Sequence, residues 1–369
     1  MTMTMIESSR PGAALVLGAT GGVGGEAARQ LRDAGWGVRA LARGLATETA
    51  RRDGMTWLRG DAMNRQDVAR AALGCEVIVH AVNPPGYRRW GELVLPMIDN
   101  TIAVATAQGA TIVLPGTIYN YGPDAFAVLR ESSPQHPLTR KGAIRVELER
   151  RLRAASERGA RALVLRAGDF FGPRAGNNWF SQGLVKPGRP LRRISNPGTP
   201  GVGHQWSYLP DVGRALVELL ARREGLAPFT ALHMAGHWDP DGTGMAAAIA
   251  RVARRHGLEP RVAAFPWGLL RLAAPFSETV RELLEMRYLW RQPLRMDNAR
   301  LVGVLGAEPH TPLDEAVAAT LRGLNCLPAA LPAAAALRGR RRIRLAGAGP
   351  GHAQWRHAAV RSAAGAPDA

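Results

Sequence analysis

Glycine stands at every third position of Gly18-Ala19-Thr20-Gly21-Gly22-Val23-Gly24, directly after the apolar run Leu15-Val16-Leu17. Glycines let a backbone turn tightly and approach phosphate oxygens that a Cβ would hold away. A helical pattern from Glu26 to Leu31 follows, so the N–H groups of a helix N-terminus would point at the same place. Strand, glycine turn and helix in that order suit a dinucleotide pyrophosphate, held by Gly18, Thr20, Gly21, Gly22, Val23 and Gly24. A glycine-rich surface turn is the alternative in a chain with 42 glycines.

A second group of polar residues lies far downstream: Arg174, Asn177, Asn178, Trp179, Gln182 and Lys186. Amide and guanidinium groups beside aromatic rings can orient a polar or anionic small molecule. Asn83-Pro84-Pro85-Gly86-Tyr87 is expected to border the same cleft. Of these, Asn83, Arg174, Asn177 and Asn178 are the substrate candidates. His204, His233 and His237 show no metal-ligand spacing, and His233 reads as a core histidine, so no metal is expected. Neither a Gly-x-Ser-x-Gly elbow nor a Walker loop occurs.

These residues need a scaffold. Apolar runs at Ala13–Leu17, Val38–Leu41, Thr56–Leu58, Val77–His80, Thr111–Leu114 and Ala162–Leu165 read as strands. Helical patterns at Val23–Ala34, Arg65–Leu73, Gly91–Gln108 and Thr139–Glu157 lie between most of them. That alternation predicts an α/β protein with a Rossmann-type, doubly wound parallel sheet, whose strands are apolar on both faces. The dinucleotide-binding domain is assigned to residues 11–166, its sheet completed by about 210–234 through a helix at Pro210–Arg223 and a strand at Phe229–Met234. A smaller C-terminal substrate lobe takes 167–207 and 236–327. It is mostly helical after 243, with Pro266, Pro275 and Pro293 as breakers. Ligands of open sheets sit beyond the strand C-termini, which places the substrate between lobe and sheet. The Ala-, Gly-, Pro- and Arg-rich stretch 328–369 has no periodicity and reads as a disordered tail.

The formal charge is +18, but from residue 330 onward seven arginines face a single acid, Asp368. Lys141 and Lys186 are the chain's lysines, so the basic excess is an arginine bias spread over a solvated surface. Nucleic acid is not the expected partner. Cys75 and Cys326 are too few for a disulfide framework. The polar first ten residues lack a signal-peptide core, and no 18-residue apolar stretch would span a membrane. A cytoplasmic protein acting on a small molecule is expected.

Thr20-Gly21-Gly22-Val23-Gly24, then Gly60-Asp61, then His80-Ala81-Val82 together resemble the extended short-chain dehydrogenases/reductases, in particular their NAD-dependent epimerase/dehydratase branch. Arg166-Ala167-Gly168-Asp169-Phe170-Phe171-Gly172-Pro173 and Trp206-Ser207-Tyr208-Leu209-Pro210-Asp211-Val212 match that family's later landmarks, so the resemblance spans roughly 13–325. It implies that Asp61 binds adenine, with a helix N-cap as the alternative, and that Ala81 and Val82 border the cofactor. The second strand ends Arg39-Ala40-Leu41-Ala42-Arg43 without an acid for a ribose 2′-hydroxyl. Arg43 faces a 2′-phosphate or is a plain surface arginine, so NADP is the expected cofactor, with NAD still open.

By the same resemblance, Gly116-Thr117-Ile118-Tyr119-Asn120-Tyr121-Gly122 puts Thr117 in the family's Ser/Thr position, and Lys141 matches its lysine. Four residues before Lys141, where the family's tyrosine acid/base would stand, the chain has Pro137. Tyr119 and His136 are the candidate substitutes, with water as a third source of protons, while Tyr121 holds the family's structural tyrosine position. The expected function is an NAD(P)-binding oxidoreductase or epimerase-like enzyme acting on a small polar substrate. A non-catalytic NADP-binding redox sensor is the alternative. A homodimer through the helix that begins near Lys141 is also expected.

Overall fold

A computed structural model describes residues 11–84 and 89–328. In chain order the first part contains β1 (Ala13–Leu17), α1 (Gly22–Asp33), β2 (Gly37–Ala42), β3 (Thr49–Arg52), β4 (Met55–Arg59), α2 (Arg65–Ala72), β5 (Val77–His80), α3 (Trp90–Gln108), β6 (Thr111–Gly116), β7 (Ala127–Leu129), α4 (Arg140–Ser156) and β8 (Arg161–Arg166). The second part adds β9 (Asp169–Phe171), β10 (Arg193–Asn196), β11 (His204–Tyr208), α5 (Leu209–Ala221), β12 (Phe229–His233), β13 (His237–Asp239), α6 (Gly244–Arg255), β14 (Arg261–Ala264), α7 (Trp267–Ala273), α8 (Glu278–Glu285), β15 (Leu294–Met296), α9 (Ala299–Leu305) and α10 (Leu313–Gly323).

Eight strands form one sheet in the order β12-β8-β6-β5-β1-β2-β4-β3. Its neighbours run parallel except at the edge, where β3 returns antiparallel to β4. In β1 the side chains alternate between two cores. Ala14 and Val16 meet α1 and α5 residues such as Leu31 and Leu216, while Leu15 and Leu17 meet α3 and α4 residues such as Ile98 and Leu148. A strand apolar throughout is what a sheet covered on both faces requires. The chain leaves β1 toward β2 on one side and returns to β5 on the other, so the strand order reverses between β1 and β5. That crevice is where such sheets bind ligands.

The lobe is built from short pairings. β11 runs parallel to β9 and antiparallel to β13, and β10 pairs with β14. Phe171, Phe180, Ile194, Trp206, Ile249 and Leu321 share its core. One pairing links distant parts of the chain: β7, in the loop between β6 and α4, pairs with β15. Ile118, Tyr121 and Leu129 pack there on Met286, Leu289 and Met296. The loop's apolar side chains find their cover on the lobe rather than on the sheet. Pro266 and Pro293 stand just before α7 and β15, consistent with their reading as breakers. The tail beyond Pro328 lies outside the described residues.

Candidate functional site

The turn after β1 is packed too tightly for side chains. Gly18 has φ +89°, and a Cβ on it would lie 2.5 Å from the Ala81 carbonyl oxygen. A Cβ on Gly24 would lie 2.3 Å from the Gly18 oxygen. The spaced glycines thus let the start of α1 sit against the ends of β1 and β5. Helix α1 begins without a side-chain cap and without an acidic residue in its first turn, so its N-terminal N–H groups are left for an anion. This cradle fits a dinucleotide pyrophosphate.

A cleft of about 330 Å³ opens from that cradle. The sheet side of its wall contains Gly21, Gly22, Val23, Ala81, Val82, Asn83, Thr117, Tyr119 and Lys141, and the lobe side contains Asp169, Asn177, Asn178, Trp179, Gln182 and Phe265. Candidates drawn from five separate stretches of sequence meet there. Gly18 and Gly24 lie beneath it as packing contacts. Thr20 is exposed in the turn, and Arg43 is exposed just past the C-terminus of β2. One oxygen of Asp61 accepts the Met63 amide at 3.0 Å in a local turn, while the N-cap of α2 is Asn64. Pro84 also borders the cleft; residues 85–88 lie outside the described residues.

Lys141 is buried in the first turn of α4, with Nζ 5.9 Å from the centre of the Trp90 ring. The Thr139 hydroxyl caps that helix, accepting the Gly142 N–H at 3.0 Å. Glycine at 142 is needed, because a Cβ would lie 2.3 Å from the Tyr119 carbonyl oxygen and 2.5 Å from Pro137 Cβ. Lys141 and the Thr117–Tyr121 loop are locked together by this approach. His136 points elsewhere: its Nδ1 is 2.7 Å from Asp124 Oδ2, its side chain is 76% exposed, and it is not part of the cleft wall. Arg174 is also off the wall, 61% exposed and 3.8 Å from Glu26. Asn178 lines the cleft while holding its own loop, donating to the Ala175 carbonyl at 2.8 Å and accepting the Ser181 N–H at 2.8 Å.

Beneath Thr117 runs a buried polar network that local sequence patterns do not reveal. The Thr117 hydroxyl donates to Asn120 Oδ1 at 2.8 Å, and Asn120 Nδ2 donates to Glu149 Oε1 at 2.9 Å. Glu149 pairs with Arg166, whose guanidinium also donates to the Tyr121 hydroxyl at 2.9 Å. Tyr121 in turn lies 2.8 Å from His233 Nε2. Burial, with the Arg166 charge behind it, lowers the His233 pKa to about 3 and keeps the ring neutral. His80 behaves alike, lowered to about 3 by burial and Arg145. On the cleft's far side, Asp169 Oδ2 lies 2.8 Å from His204 Nε2. The only hint of that pairing in the sequence was Asp169 inside a family landmark. Elsewhere Asp211, His237 and His310 bring one ligand atom each within 4.8 Å. That carboxylate already accepts from Arg214 and from the Thr311 hydroxyl and N–H.

No helix among the described residues is long and apolar enough to cross a membrane. No curated protein matches the sequence. The fold is shared by solved structures, these three among them. A putative epimerase from Burkholderia cenocepacia J2315 has a TM-score of 0.64 at 19% identity, covering 86% of this chain and 99% of that one. UDP-glucose 4-epimerase from Bifidobacterium longum, in complex with NAD+ and UDP, has a TM-score of 0.63 at 13% identity, covering 85% and 98%. UDP-glucose 4-epimerase from Thermus thermophilus, in complex with NAD, has a TM-score of 0.62 at 19% identity, covering 85% and 99%. The sequence profile of the NAD dependent epimerase/dehydratase family matches residues 14–228. With the glycine cradle at the strand-order reversal and a lobe closing the cleft above it, the chain belongs to the NAD dependent epimerase/dehydratase family and is an NAD(P)-binding, epimerase-like enzyme.

Proposed function

We propose that this enzyme binds NADP in the crevice between β1 and β5 and exchanges hydride with a small polar substrate held against the lobe. The observation that carries the reading is the convergence of Gly21–Val23, Ala81–Asn83, Thr117, Tyr119 and Lys141 on one cleft wall. The nicotinamide, when bound, supplies the chemistry of accepting and returning a hydride at a substrate carbon. The chain supplies the rest. The α1 N-terminus and its glycines hold the pyrophosphate, and Lys141 grips the nicotinamide ribose. The Tyr119 hydroxyl holds the reacting oxygen, Thr117, whose hydrogen goes to Asn120, accepts from a substrate hydroxyl, and Asn83, Asn177 and Asn178 orient the substrate. His136 and Arg174, in this reading, stay outside the reaction.

Arg43, beyond the end of β2, is the residue we assign to the 2′-phosphate, since no acid stands there to hold a 2′-hydroxyl. The UDP-sugars bound by similar structures, such as one in complex with UDP-glucose and NAD, make nucleotide sugars the first substrates to try. Family membership favours catalysis over a purely regulatory sensor. Cys75 and Cys326 are both free and buried, in keeping with the cytoplasm as the proposed compartment. We also assign the α4 face to a homodimer, to be checked by light scattering.

A fluorescence titration with NADPH and NADH tests the proposal directly. Tighter binding of NADPH, weakened about tenfold or more in Lys141→Ala, is expected. Failure of both dinucleotides to bind would overturn it.

A further inference from the structure

Pro137 leaves the cleft without a tyrosine in the family's position, yet one pair on its wall is arranged to handle a proton. Asp169 is the first residue of β9, which lies beside β11 with Asp169 opposite Trp206. Residues two apart on a strand share a face, so His204 stands on the same side as Asp169. Gly168 makes the approach feasible, because a Cβ there would lie 2.4 Å from the Gln205 carbonyl oxygen. The Gly168 N–H also donates to the Ser207 hydroxyl at 3.0 Å. The His204 ring is clamped in place. It stacks on Trp290 with centroids 3.7 Å apart and planes 4° apart, and Trp206 meets it edge-on at 5.0 Å.

Both ring nitrogens face an oxygen. Nδ1 is 3.2 Å from the Leu289 carbonyl oxygen, an atom that can only accept, so a hydrogen bond there requires the ring to carry its hydrogen on Nδ1. Nε2 is 2.8 Å from Asp169 Oδ2. That contact is a hydrogen bond only if one more proton lies between them, on the imidazolium with an ionised carboxylate or on the carboxyl with a neutral ring. With the ring hydrogen on Nδ1, the pair stores a proton in either arrangement. His204 is 3% exposed and Asp169 22%, and Asp169 is the member that lines the cleft, so the proton leaves through Asp169. The neighbouring Tyr288 hydroxyl cannot take it. Burial foremost, then Tyr119 and Asp169, push its pKa far above the usual tyrosine range, and it stays protonated.

We infer that Asp169 and His204 form the acid/base pair of this cleft, Asp169 exchanging the proton with the substrate oxygen and His204 positioning and resupplying it. The inference rests on the enzyme reading above. When a carbonyl is reduced, a new O–H bond forms on the substrate and an O–H bond on Asp169 breaks, its electrons staying on the carboxylate. His204 Nε2 or water returns the proton. In the opposite direction the substrate O–H breaks toward Asp169, and its electron pair becomes part of the new carbonyl. The hydride that balances either direction is the nicotinamide's share.

Nitrogen NMR of the full chain labelled at histidine tests the pair without turnover. At neutral pH the wild type should show His204 with Nδ1 protonated and Nε2 in a strong hydrogen bond. In Asp169→Asn, Nε2 should become a bare acceptor of the new amide. A wild-type ring with Nδ1 bare and Nε2 protonated would overturn the inference, because that tautomer has no second proton to give. With UDP-glucose and other UDP-hexoses as probes, Asp169→Asn should lower kcat about 100-fold or more, leaving KM and NADPH affinity within about threefold, and Asp169→Glu should recover part of the rate. Unchanged kcat would also overturn the pair. If the wild type binds NADPH but turns over none of these sugars, the substrate reading fails and the NMR result still decides the pair.

Discussion

Arg166 and Glu149 meet beneath Thr117 with side chains 2% and 5% exposed. The Arg166 Nε lies 3.1 Å and 3.2 Å from the two Glu149 oxygens. Burial alone would disfavour the guanidinium charge, and Glu149 more than restores it, so the Arg166 pKa stands above its ordinary value. The pair joins α4, which carries Lys141, to β8, which leads into Asp169. It therefore holds two walls of the cleft in register.

Glu149→Gln should be strongly destabilising, by about 3–5 kcal/mol in chemical denaturation, because it leaves a buried guanidinium uncompensated. The double variant Glu149→Gln/Arg166→Met should cost less than the single one. Equal or additive losses would show that the charge pairing is not what the interior depends on.

Gly24→Ala should separate fold from cofactor binding. The added methyl would meet the Gly18 carbonyl at 2.3 Å, and backbone cannot yield there without moving α1 off the turn. NADPH affinity should fall at least about tenfold while far-ultraviolet circular dichroism stays helical. Gly44, where an added Cβ would have nothing within 4 Å, is the control, and Gly44→Ala should bind as the wild type does.

Stability should decline in acid from a source other than carboxylates. His80 and His233 are held near pKa 3, and His237 near 4 by burial and then by His310. All three fall below the unfolded value of about 6.5. The unfolded chain thus takes up protons first, so stability is intact above about pH 6.5 and is lost as pH falls toward 4 and 3. Each histidine contributes about 1.4 kcal/mol per pH unit over that window. Melting temperatures measured between pH 7 and 4 should drop steeply, and His233→Gln should flatten the slope. A flat wild-type profile would contradict the neutral, buried state of these rings.

Arg43→Glu should reverse the dinucleotide preference. Losing a cation for the 2′-phosphate and gaining an acceptor for the 2′-hydroxyl should shift the NADPH-to-NADH affinity ratio by about tenfold or more toward NADH. An unmoved ratio in fluorescence titrations would make Arg43 a plain surface residue.

The legible parts of this chain were those decided locally. β1 and β5 match their apolar runs at both ends, because a strand buried on both faces has no polar interruption. The glycine spacing after β1 pointed to the cradle for the same reason: turn, close approach and helix start lie within a few residues. β3, with the sequence TARR at an exposed edge, carries no apolar signal and was not anticipated. Neither were β7 and β15, three residues each, whose pairing depends on partners far apart in the chain. The polar interior was equally hidden. Asp169 and His204 stand 35 residues apart, and Tyr121 and His233 stand 112 apart. The register of β9 beside β11 joins the first pair, and the loop after β6 reaching β12 joins the second.

The pairing of β7 with β15 also has a bearing on synthesis. The glycine cradle is complete once β5 has emerged, but the wall contributed by Met286 and the strand at 294–296 arrive roughly two hundred residues later. The roughly 165 residues between Leu129 and Leu294 take roughly 8–33 s to translate. Throughout that interval Ile118, Tyr121 and Leu129 lack their cover, so a nascent chain is most open to aggregation, and to rescue by a chaperone, just before its last strand leaves the ribosome.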